Sequence, residues 1–259
     1  MIVELFGPAG VGKTTFAHAL CERLNINGHR AKVVLSYQPG KNVSALDPVG
    51  VMAAVRRIAR AIAGTLTITA RPIAKRKELL LTFKLMRALP PSNVVWFIRL
   101  AQYVLRLCQC WTLCSETADV IIFDQAFVQA TCTLALNSCS ASDTGLKTAL
   151  ALVPKADLII RLNAPQEMLI SRLRDRLRRQ TLAERLFEAH VEKHLAGVRD
   201  FDRVQSLLER NGVPIVSLSL HDLSFLRRGL DSAEDEINRA KRTPNEAAMH
   251  DRNIDRYTS

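Results

Sequence analysis

Gly7, Gly10, Gly12, Lys13 and Thr14 stand in the spacing G-x-x-x-x-G-K-T, within GPAGVGKTT. Glycines at those positions let the backbone turn tightly, so that several N–H groups point into one concavity. Lysine adds a point charge, and the hydroxyl adds a hard oxygen ligand. Amides and Lys13 together suit the β- and γ-phosphates of a nucleoside triphosphate, with Thr14 on its Mg²⁺. The candidate nucleotide site is therefore Gly7, Ala9, Gly10, Val11, Gly12, Lys13, Thr14 and Thr15. A second candidate is Asp124, at the end of the apolar run TADVIIF and followed by Gln125. A carboxylate there orders Mg²⁺ or accepts a proton from an attacking hydroxyl. A third group is the arginine series in PQEMLISRLRDRLRRQ. Arg172, Arg176 and Arg179 are spaced i, i+4, i+7 and share a helix face, from which they can neutralise charge on a transferring phosphoryl group.

These groups need elements to hold them. MIVELF before the glycine loop reads as a buried strand, and FAHALCERL after it as a helix whose dipole adds to the anion site. NGH at Asn27–His29 stops that helix, and AKVVLSY reads as a second strand, paired in parallel with the first through a right-handed crossover. TADVIIF, DLIIRL and VPIVSL supply three further parallel-type strands. Ser92 is expected to cap a long helix, SNVVWFIRLAQYVLRLCQCWTL, and Asp143 or Thr144 the helix that runs to Val153. A last helix starts at Leu223. Residues 1–230 are expected to form one domain, and the polar stretch 231–259 a frayed or disordered tail.

The whole chain bounds the answer. With 259 residues, of which 48% are hydrophobic and 5% aromatic, it can build a sizeable aliphatic core. No uncharged apolar run is long enough to span a bilayer, and the amino end lacks the form of a secretion signal, so a cytoplasmic protein is expected. Cys108, Cys110 and Cys114 match no zinc spacing and read as small buried thiols. The net charge of +11 calls for anionic partners. It concentrates in residues 48–115: from Val51 to Pro90, nine Lys/Arg face the single acid Glu78. That stretch is either a helical subdomain with a solvated basic side or a surface for a phosphorylated substrate, nucleic acid or an anionic membrane face. A homodimer is among the assemblies open to such a chain.

The quoted residues resemble the P-loop nucleoside and nucleotide kinase group, thymidylate kinase above all, over about residues 1–220. GPAGVGKTT also resembles the loop of cytidylate and adenylate kinases. LNAPQEMLISRLRDR resembles the strand, helix and arginine-rich lid of thymidylate kinases. Phe97 to Arg99 resembles the helix carrying their base-stacking phenylalanine and phosphate-binding arginine. The resemblance implies a P-loop NTPase three-layer sandwich with a five-stranded parallel sheet and a helical insertion between the second and third strands. It implies phosphoryl transfer from ATP with Mg²⁺ to a nucleoside monophosphate. Lys13 would clamp phosphate, Thr14 and Asp124 would serve the metal, and Arg172, Arg176 and Arg179 the transition state. Phe97, Arg99 and Gln125 would meet the acceptor. Two positions depart from the pattern: Ala9 stands where an acid is common, and Gln125 where an arginine follows the aspartate. The alternative is a nucleotide-dependent binding or regulatory protein that grips an acidic polymer through residues 51–90.

Overall fold

The computed structural model describes residues 1–35, 76–114, 118–179, 197–220 and 223–257. Its centre is a five-stranded parallel sheet of β1 (Ile2–Phe6), β2 (Ala31–Val34), β3 (Val120–Phe123), β4 (Leu158–Asn163) and β5 (Ile215–Ser219), in the order β2-β3-β1-β4-β5. The expected α/β fold is therefore present, with one correction. β1 and β2 are parallel but not neighbours, because β3 inserts between them: Ile2 registers with Ile121, and Ala31 with Val120. A crossover's length and hand leave open which later strand fills the gap it spans. β3 is buried and apolar throughout, as central parallel strands are, and most of β4 is buried as well.

Helices cover both faces. β1 alternates: Val3 and Leu5 join a core with Phe16, Leu20 and Leu24 of α1 (Lys13–Ile26), while Phe6 joins the opposite core. That second core is built with α2 (Arg76–Ala88), α3 (Val94–Cys114), α4 (Phe127–Leu136), α5 (Asp143–Leu152) and α7 (Val198–Arg210). Helix α6 (Gln166–Arg179) follows β4, and α8 (Leu223–Tyr257) closes the α1 side. Helices α2 and α3 form the described part of the insertion between β2 and β3. The basic stretch from Val51 up to Lys75 lies outside the described residues.

Local signals decide the helix ends. Gly28 at φ +86° and the His29 N–H on Leu24 O (2.9 Å) finish α1. Neither expected cap is the residue that caps. Asn93, not Ser92, accepts the Trp96 N–H (2.9 Å), and Ser142, ahead of Asp143 and Thr144, accepts that of Gly145 (3.0 Å). In both places the residue three before the orphan amide wins.

Helix α8 continues past the expected boundary at Asp231. Ala233 and Ile237 are wholly buried against the α1 layer. Glu234 accepts from Arg23 Nε (2.6 Å) and Asn27, and Asn238 meets His29 Nε2 at 3.0 Å. Leu230, Ala233 and Ile237 form one stripe at i, i+3, i+7, which holds this polar stretch down.

Candidate active site

The loop from Gly7 to Thr15 sits at the carboxyl end of β1, where open parallel sheets place ligands. A Cβ on Gly7 would lie 2.3 Å from Leu162 O of β4, so the loop leaves the sheet where only glycine fits. Gly12 (φ +102°) is the N-cap of α1 and brings no side chain to it, which leaves the dipole's positive end facing the loop. Lys13 is buried, and its Nζ donates to Gly7 O (2.7 Å) and Pro8 O (3.0 Å). It spans the loop's own carbonyls.

The Thr14 hydroxyl donates to Asp124 Oδ2 at 2.8 Å. The sequence separates these two by more than a hundred positions, and the sheet unites them because β3 lies beside β1. Asp124 is buried at the end of β3, with Gln125 half-buried next to it. A hydroxyl and a carboxylate fit a hard divalent cation. Adjacent ligands of an octahedral Mg²⁺ at 2.0–2.1 Å stand ~2.9 Å apart, close to the separation observed here. Thr14 and Asp124 would hold the ion, which would supply charge neutralisation on the phosphates.

Helix α6 brings in the arginine. Its axis passes the loop so closely that a Cβ on Gly10 would touch Leu169 O and the Arg172 and Leu173 side chains at 3.5–3.6 Å. Arg172 Nη1 donates to Gly10 O (3.3 Å) and Val11 O (3.2 Å). The α6 face expected to turn toward the loop does so at Arg172. The side chains of Arg176 and Arg179, expected on the same face, lie outside the described residues.

Phe97 and Arg99 lie in the amino-terminal half of α3. Helix α3 starts beside the far end of α4, where the Ser92 N–H meets Asn137 O (2.8 Å) and Pro91 bridges Ser138. It reaches the carboxyl end of β3 only at Trp111, which stacks on Phe123 (5.1 Å) and meets Phe127 edge-on (5.3 Å). Phe97 is exposed and Arg99 lies over Trp96 (4.8 Å), both in the half of α3 remote from Asp124.

Sequence reasoning also missed the support beneath the loop. Gln129 of α4 accepts the Gly7 N–H through Oε1 (3.0 Å). Glu4 of β1 is wholly buried, and its Oε1 accepts the N–H groups of Val128 (2.6 Å) and Gln129 (3.1 Å). Burial pushes the Glu4 carboxyl up to about 8, against the lowering effect of the α4 backbone amides. An acid inside the otherwise apolar MIVELF was the available signal. Arg161 in DLIIRL is a parallel case: it is buried in β4 and bonded to Asn163 (3.0 Å), Asp202 (2.5 Å) and Gln205.

No protein-family model matches the chain. No curated protein matches it in sequence either. Solved structures of similar path include the deoxyadenosine kinase from M. mycoides with bound dATP. That structure is 14% identical, with a TM-score of 0.49, over 92% of this chain and 100% of that one. The same kinase with products dCMP and a flexible dCDP bound gives 13% identity and a TM-score of 0.47, over 92% and 98% of the two chains.

Proposed function

We propose that the protein is an ATP- and Mg²⁺-dependent phosphotransferase acting on a small nucleoside-type acceptor, with a nucleoside monophosphate the first candidate. The observation that carries this reading is the 2.8 Å contact between Thr14 and Asp124 at the mouth of the glycine loop. It gives the loop a metal-ligand pair and a carboxylate in one place, as phosphoryl transfer needs. In this reading Lys13 and the loop amides hold the β- and γ-phosphates, and Asp124 takes the acceptor's proton or orders the ion. Arg172 leaves two carbonyls for stronger bonds to the transferring group, in which both partners are charged. Arg176 and Arg179 are proposed to follow it. Gln125 beside Asp124 brings a neutral amide where the related pattern has a cation, so acceptors with and without a phosphate belong in the same screen.

The test is transfer of label from γ-³²P-ATP with Mg²⁺ to a panel of nucleosides and nucleoside monophosphates, with Lys13→Ala as the inactive control. A labelled acceptor made by the wild type and absent with Lys13→Ala supports the proposal. ATP binding with no labelled product from any acceptor sinks it.

A further inference from the structure

Helix α4 follows directly on the Asp124–Ala126 turn, and its N-cap, Ala126, has no side-chain acceptor to offer. The first-turn amides are met from outside the helix. Glu4 reaches across from β1, and Oε1 takes both the Val128 and the Gln129 N–H. Gln129, held in this way, turns its own Oε1 onto the Gly7 N–H. Glu4 Oε2 is buried and has no partner among the described residues. A buried acid in mid-strand is costly, and an aliphatic side chain there would pack without that cost. The compensation visible in the structure is the cap.

We propose that Glu4 is a positioning residue of the phosphate-binding site: its carboxyl caps α4 from within the sheet and so fixes the Asp124–Ala126 turn and the Gln129–Gly7 clasp as one unit. The inference rests on the phosphotransferase reading for its kinetic consequence, but the clasp itself has a separate readout. Two walls of the site depend on a single oxygen. If Oε1 is lost, the first turn of α4 is released, and with it the turn that carries Asp124. Gln129 then loses its aim, and the amide that opens the glycine loop loses its acceptor. Burial favours the neutral carboxyl, whose accepting atom behaves like an amide oxygen. Glu4→Gln should therefore replace it, whereas Glu4→Leu removes the acceptor and keeps the bulk.

The experiment compares the full-length wild type with Glu4→Gln, Glu4→Leu and Gln129→Leu. Hydrogen exchange of the Gly7 amide is measured without nucleotide, and kcat and KM for ATP are measured with the acceptor found above. For Glu4→Leu and Gln129→Leu, Gly7 exchange should be at least about tenfold faster. Their kcat should fall on the order of tenfold, since displacement of reacting groups by a fraction of an ångström acts on the chemical step, while KM changes little. Glu4→Gln should behave as wild type in both readouts. A folded Glu4→Leu protein with a lowered Tm but wild-type Gly7 exchange and kcat overturns the proposal. If Glu4→Leu does not fold, Gln129→Leu decides: wild-type exchange and kcat overturn it. If the wild type transfers phosphate to no acceptor, the phosphotransferase reading fails by itself. Gly7 exchange in the variants then supports or overturns the clasp.

Discussion

Substituting Gly7 by alanine tests whether the glycine loop is positioned by its contact with β4. The added Cβ would meet Leu162 O at 2.3 Å, where real Cβ contacts stay above 3.0 Å, so loop and strand must part by about 0.7 Å. Leu162 is buried and paired with Leu218 of β5, so the loop is the partner that moves. The backbone at φ +149° adds strain for any L side chain, on the order of 1–3 kcal/mol. The Gly7 N–H also withdraws from Gln129, which forfeits a buried hydrogen bond of 3.0 Å at a cost of ~1–3 kcal/mol for the stranded groups. A loop displaced by this much should lower turnover by roughly 10²-fold. Nucleotide affinity, followed with a fluorescent ATP analogue, should fall with it. Thermal melts of the same samples separate loop displacement from global unfolding. A Gly7→Ala protein with wild-type Tm, ATP affinity and turnover would refute the reasoning, because it would show that loop and strand need no close approach.

The packed α8 gives a stability prediction. Ile237→Ala empties a fully buried position and should cost ~2–5 kcal/mol, read as a Tm lowered by roughly 5–15 °C. An unchanged Tm would return the stretch after Asp231 to the status of a tail. Glu4 gives a pH prediction. Burial raises its carboxyl from the model-peptide value of 4.5 to about 8, so the folded state binds the proton more tightly than the unfolded one. The stability linked to that proton is fully present below pH 4.5 and is lost as pH rises toward about 8. Chemical denaturation of wild type and Glu4→Gln across this window should show the wild type losing ground to the variant with rising pH. Parallel curves would contradict the shift.

What the sequence disclosed follows from how far each interaction reaches. The glycine loop is written in consecutive residues, so its spacing alone identifies it. Asp124 was legible because a strand end in a parallel sheet has one destination. Arg172 was legible because a helix following a neighbouring strand returns past the same edge. Glu4 and Gln129 were not, since their partners lie more than a hundred positions away and only the β1–β3 adjacency brings them together. For Phe97 and Arg99 the limit is similar: a long helix shows which residues share a face, but not which end lies beside the site. The stripe Leu230, Ala233 and Ile237 was present in the sequence, hidden by the charged residues around it.

The most direct measurement is the single-turnover rate of phosphoryl transfer, at saturating Mg·ATP, for wild type and Arg172→Ala. The guanidinium already rests 3.2–3.3 Å from the loop carbonyls, so its removal should slow the chemical step by roughly 10³-fold and leave ATP affinity little changed. An Arg172→Ala protein that transfers phosphate at the wild-type rate would contradict the claim that α6 completes the site.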